Sequence, residues 1–152
     1  MLGNLSPDEI ERLLQRETIA RLGCHDGTRT YVVPITYAYV DGGLVGHSVE
    51  GLKLEILRKN PNVCVEVDHV HDLANWSSVI AWGTFEELKG EEAKHALALM
   101  QARFLALTVS ETSVVPSILR SSDVRTRTGQ SHKSAVYRIC LTEKTGRFER
   151  PA

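Results

Sequence analysis

The chain is poor in cysteine, carries almost no net charge and contains no long apolar run, and each shortage closes off a class of protein. Cys24, Cys64 and Cys140 are odd in number, far apart and without a C-x-x-C spacing. They offer neither a disulfide framework nor a zinc pattern, and their apolar, strand-like surroundings predict buried, reduced thiols. A formal net charge of −1 with a pI near 6.6 removes the global basic field that draws proteins to nucleic acid. No apolar stretch approaches the roughly 20 residues of a membrane helix, so a membrane span is not expected. The opening MLGNLSPDEIERLLQRE lacks the basic and apolar regions of a secretory signal, which makes the cytoplasm the expected location.

What is present is ordinary for a globular chain: 152 residues, 42% hydrophobic and 24% charged, without repeats. One domain spanning 1–152 is expected. Ser6-Pro7-Asp8-Glu9 predicts a helix start, with Ser6 as N-cap, Pro7 at the first position and Glu9 completing a capping box, running to about Glu17. Turn signals at Asp26-Gly27 and Asp41-Gly42-Gly43 divide the next stretch into a three-stranded antiparallel meander. A helix from about Val49 stops before Asn60-Pro61. VCVEVDHV alternates as a half-buried strand, and NWSSVIAWGTFEEL is a longer strand with a bulge expected at Gly83. Leu97, Met100 and Phe104 set a helix over Gly90–Thr108. A loop rich in turn formers, 117–133, precedes a last strand, SAVYRICLTE, expected to end before Lys144-Thr145-Gly146. The fold class is mainly β (α+β): about six antiparallel strands in a barrel, with small helices at the N-terminus, after the third strand and before the last.

The chemistry-bearing stretch is HSVEGLK. A hydroxyl, a glycine and a lysine around a helix start suit an anion, because the first N–H groups are unpaired and the macrodipole is positive there. Ser48 as a plain N-cap and Lys53 as a solvated cation are the competing explanation.

The order YVVPITYAY, a DGG turn, HS-x-EG-x-K-x-x-x-L-x-x-NP-x-V-C-x-E-V-D and W-x-S-V-x-x-x-G resembles the pyridoxamine 5′-phosphate oxidase-like flavoproteins, nearest the branch that includes nitroimidazole-resistance proteins. The likeness spans about residues 17–90 and the last strand. It implies a split β-barrel, a homodimer and FMN in a cleft between subunits. It also implies that the backbone of Val33, Pro34, Ile35, Thr36 and Tyr37 lines the isoalloxazine edge. His47, Ser48, Gly51 and Lys53 are implied at the phosphate, while Trp76, Ser77 and Ser78 reach the cofactor from the opposite subunit. Ser78 is the better candidate for the ribityl or phosphate group, and an apolar face around Trp76 and Val79 is expected to need the second chain. Trp82 is expected in the core. Relatives often carry an arginine where this chain has Ser77, a departure that weakens the expected phosphate grip.

The resemblance implies electron transfer from a reduced nicotinamide-type donor through FMN to a small acceptor such as a nitro-aromatic, with no side chain standing out as acid or base. Pyridoxal phosphate synthesis is disfavoured, because the chain ends soon after its last strand. A haem- or flavin-binding protein without turnover, with His47, His69, His71 or His132 as axial ligand, and a deazaflavin-dependent reductase are the alternatives. His69 and His71 share a strand face but lack a third metal ligand. Arg120, Arg125, Arg127, His132 and Lys133 form a basic loop, read either as solvated surface or, through Arg125 and Arg127, as a lid over the flavin.

Overall fold

The computed structural model describes residues 1–107 and 133–152. Helix α1 (Pro7–Arg16) follows a short strand, β1 (Leu2–Asn4), and begins as its sequence dictates. Ser6 Oγ accepts from the Glu9 amide at 3.3 Å, and the Glu9 carboxylate accepts from the Ser6 amide at 2.8 Å. The helix buries Ile10, Leu13 and Leu14. Strands β2 (Ile19–His25) and β3 (Thr30–Thr36) form a hairpin closed by Asp26, whose carboxylate accepts from the Thr28 and Arg29 amides at 2.8 and 2.7 Å. A second hairpin joins β4 (Ala38–Val40) to β5 (Gly43–Val49).

Helix α2 (Leu52–Lys59) leads to β6 (Asn62–Asp72) and β7 (Asn75–Leu88), and α3 (Gly90–Ala106) precedes the long β8 (Ser134–Glu149). The sheet order is β3-β2-β6-β7-β8-β5-β4, with β1 added to β8, and every pairing is antiparallel. Its two outer strands, β3 and β4, are separated along the chain by Tyr37 alone. One residue can join opposite edges only if the sheet curls until those edges meet, which makes the structure a split barrel. Leu22, Ile35, Leu44, Val65, Val67, Val79, Ala81 and Ile139 fill it, with α1 and α2 contributing Leu14, Leu54 and Leu57; α3 covers a second cluster around Met100 and Phe104.

Four expectations change. Eight strands among the described residues replace about six, because β1 escapes notice and 30–40 divides at Tyr37. The expected meander is two hairpins on opposite sides of the sheet, since β3 and β4 diverge at that residue. Strand β8 runs through Thr145-Gly146 to Glu149. Gly146 opens no turn: an added Cβ there would sit 2.8 Å from Leu5 and 2.9 Å from Ile10, so glycine lets α1 and its lead-in pack closely. Finally, the irregularity at Gly83 lies in its partner. Trp82 pairs with Glu143 and Gly83 with Leu141, leaving Thr142 of β8 as the extra residue. A Cβ on Gly83 would approach the Cys140 carbonyl to 2.2 Å.

Burial corrects four side chains. Trp82 is 40% exposed rather than core, because Trp76, Ser78, Ile80 and Trp82 share the outer parity of β7 while Val79 and Ala81 point inward. Val79 is therefore fully covered by its own chain, and the face expected around Trp76 and Val79 does not include it. Of the cysteines, Cys24 is buried, Cys64 half-buried and Cys140 exposed.

Candidate functional site

The helix expected from Val49 begins at Leu52. Its N-cap is Gly51, in extended conformation, and no side chain caps the first turn. Ser48 belongs to β5 instead and donates to the Val49 carbonyl at 3.0 Å. The first α2 amides consequently have no side-chain acceptor among the described residues, and a Cβ on Gly51 would meet nothing within 4 Å. Lys53 sits in that first turn, half-buried, its ammonium 6.0 Å from the ring centroid of Tyr137.

Among the described residues Lys53 has no hydrogen-bond or ion-pair partner. The neighbouring carboxylate, Glu50, is held by Arg58, which donates to both of its oxygens at 2.7 Å. Burial lowers the Lys53 pKa, and the Cys24 thiol nearby offsets this only in part. Burial, and then the Lys53 charge, push His47 below its usual value. Burial raises the Cys24 thiol, against which the Lys53 charge acts. The Tyr137 hydroxyl is buried without a partner, and burial raises its pKa. A lone cation at an uncapped helix start, with open space beyond Gly51, is the donor set an anionic group such as a phosphate would satisfy.

The remaining expected residues lie in two places. Strand β3, carrying Val33, Pro34, Ile35 and Thr36, is an edge of the sheet: it pairs with β2 on one side, and Pro34 faces Arg21 in that ladder. Ile35 and Tyr37 point into the core, where the Tyr37 hydroxyl donates to the Leu14 carbonyl at 2.7 Å. His47 and Ser48, adjacent in β5, project to opposite faces.

Trp76, Ser77 and Ser78 lie elsewhere. His47 pairs with Val136 and Ser78 with Arg147, positions 11 residues apart on β8. Within one chain the two groups thus stand at opposite ends of that strand, a path of about 35 Å. Ser78 donates to Glu66 at 2.8 Å, beside Asp68, which pairs with Arg21 at 2.7 Å. Ser77 faces the other way, into an open cleft beneath α1. That cleft draws on residues remote in sequence, Arg12, Arg16 and Arg150, and no local motif announces it.

His69 pairs with Glu17 at 3.0 Å, and among the described residues no cluster of three metal-ligating side chains occurs. No described helix is long and apolar enough to cross a membrane. Arg120, Arg125, Arg127 and His132 lie outside the described residues, and with them the expected lid.

The profile of the family described as pyridoxamine 5′-phosphate oxidase matches residues 6–148. An uncharacterized protein of Rhizobium meliloti is 31% identical over 91 residues, and the chain spans 60% of that curated relative's length. Among solved structures, a FAD-binding protein of Mesorhizobium loti is 27% identical, with a TM-score of 0.72 over 97% of this chain and 98% of the other. A putative 5-nitroimidazole antibiotic resistance protein of Bacteroides thetaiotaomicron is 22% identical, TM-score 0.69, over 97% and 87%. The haem storage protein HutZ of Vibrio cholerae is 14% identical, TM-score 0.66, over 94% and 93%. The latter two likenesses speak to fold alone.

Proposed function

Because the chain belongs to the pyridoxamine 5′-phosphate oxidase family, we propose that it is a flavoprotein that holds FMN, with the phosphate against Lys53, Ser48 and the first amides of α2 and the ring along the edge of β3. The observation that carries this reading is the half-buried Lys53 ammonium, which has no partner among the described residues and lies beside an uncapped helix start. The Mesorhizobium loti relative named as FAD-binding supports a flavin.

Bound FMN would supply the electron chemistry, accepting from a reduced nicotinamide-type donor and passing electrons to a small acceptor such as a nitro-aromatic. The chain's own part is to fix and shield the group. Lys53 and the α2 amides neutralise the phosphate, and the free edge of β3 offers backbone donors and acceptors to the ring. Trp76 and Ser78, on the outer face of β7, cannot reach Lys53 within their own chain, which favours a homodimer in which this face completes the other chain's site, whereas Ser77 faces the cleft beneath α1.

Titration with FMN and riboflavin tests the phosphate assignment. Lys53→Ala is expected to cost FMN a charge-assisted bond of about 1.5–3 kcal/mol, roughly ten- to a hundredfold in affinity. Riboflavin, lacking the phosphate, should hardly respond. Equal losses for both ligands would remove Lys53 from the phosphate. Sedimentation with and without FMN tests the pairing; a monomer retaining full FMN occupancy would refute it.

A haem-binding reading draws on His47, whose lowered pKa favours the neutral imidazole an axial ligand requires. The absorption spectrum of the purified protein separates the two, flavin bands in the blue supporting the first and a Soret band the second.

A further inference from the structure

The cleft beneath α1, about 510 Å³, is lined by Arg12, Arg16 and Arg150, with Glu9, Gln15 and Ser77 among its other residues. That volume lies within the range of small-molecule sites. Three guanidinium groups face the one carboxylate of the cleft, Glu9; Arg16 has a second carboxylate outside it, Glu17, so one net positive charge remains. The carboxylate is committed already: Glu9 closes the capping box of α1 and accepts from Arg150 at 2.9 Å, contacts that hold its pKa down at about 2. Arg150 is fixed from its other side by the Phe148 ring, 3.9 Å away.

Arg12 and Arg16 stand one helical turn apart on α1. Like charges at that spacing oppose helix formation. Arg16 is eased by Glu17 at 2.9 Å and by its place in the last turn, whereas Arg12 has no partner among the described residues. The cluster therefore concentrates positive charge at a local cost to the helix, around a serine hydroxyl, in a concave surface.

We propose that this cleft is a second anion-binding site, distinct from the Lys53 end of the molecule, and that it takes the dianionic phosphate or phosphoanhydride group of a small molecule. Three planar guanidinium forks can each meet a pair of phosphate oxygens, and a phosphate offers more such oxygens than the two of a monocarboxylate. Ser77 supplies a hydroxyl at the floor. Ser78 cannot share this role, since it faces Glu66 on the opposite side of the strand. The site stands whether or not a flavin occupies the Lys53 end.

Isothermal titration of the full chain with inorganic pyrophosphate, at constant ionic strength, is the test. Saturable binding is expected, weakened at least about tenfold by Arg12→Gln with Arg16→Gln, a loss matching one charge-assisted contact or more. Ser77→Asp, which adds a negative charge without touching α1, should abolish it; circular dichroism shows that each variant is folded. Lys53→Ala should leave pyrophosphate binding unchanged while weakening FMN, so failure of this site and failure of the flavin reading give different patterns. Absence of saturable binding, equal affinity in the arginine variant, or loss with Lys53→Ala alone would overturn the proposal.

Discussion

The two ends of β8 hold positive charge in opposite ways. At the Ser134 end, Lys53 is a single ammonium half-withdrawn from water, without a carboxylate partner among the described residues, and Glu50 is locked to Arg58. At the Glu149 end, three exposed arginines gather around Ser77, two of them steadied by glutamates. A charge partly out of water is screened little and pays for its desolvation until an anion arrives. Exposed charges are screened within about 8–10 Å at ordinary salt and act by number. On the proposals above, one end suits a single strong contact and the other a more salt-sensitive one.

The largest expected effect comes from the bulge that lies between them. Gly83→Ala drives a Cβ into the Cys140 carbonyl, a backbone atom that cannot rotate away. Overpacking of this kind costs about 3 kcal/mol, and the register of β8 beyond Thr142 should suffer with it. Chemical denaturation measures the loss. A variant as stable as the parent would show that β7 and β8 can slide apart cheaply, and the two ends would then not be held at a fixed separation.

Next in size is Lys53→Met, which sharpens the contrast directly. It keeps the length of the side chain and removes the unpaired charge, so the ligand-free protein should become slightly more stable while FMN binding falls by roughly ten- to a hundredfold. Thermal unfolding with and without FMN reads both changes. Loss of stability without ligand would mean that the ammonium is already satisfied, and the end at Ser134 would resemble the other.

Ser6→Ala acts on the opposite end. The capping box carries the helix that displays Arg12 and Arg16, and loss of an N-cap serine costs about 1 kcal/mol. Amide exchange in the first turn of α1 should rise, and pyrophosphate binding should weaken with it, while FMN binding stays put. Coupled loss of both ligands would mean that the two ends communicate.

This contrast also marks where the sequence was legible. Helix α1 was readable because its capping box, proline and apolar stripe are all local, and the Asp26-Gly27 turn for the same reason. The Lys53 end was readable in outline, since β5, the turn and α2 follow one another along 43–59. What failed was non-local. Thr145-Gly146 resembles a turn until Leu5 and Ile10 are seen packed on the glycine. The division of 30–40 at Tyr37 depends on which strands its halves find. The arginine cleft joins residues 12, 16, 77 and 150, and no spacing rule links them. Ser48, a good N-cap by type, lost that place to Gly51 because β5 continues through it to pair with Ala135.

The smallest effect is a pH dependence at His47. Burial, and after it the charge of Lys53, lower its pKa from the usual value of 6.5. The unfolded chain takes up a proton as pH falls through 6.5, while the folded chain resists, so the unfolded state binds more protons there and stability falls with falling pH. Above that range the histidine is neutral in both states and contributes nothing. His47→Gln should flatten the stability profile below pH 6.5. Lys53→Met should raise the His47 pKa only part of the way to its free value, because burial is the larger cause and survives the substitution. An anion bound beside Lys53 should act in the same direction, so FMN binding near pH 6 is expected to draw protons from solution. Pyrophosphate in the distant cleft should leave His47 alone. Following the His47 ring proton by NMR through a pH titration, with each ligand in turn, reads all of this in one experiment. A His47 that titrates at its free value, or that responds equally to both ligands, would erase the distinction between the two ends of β8.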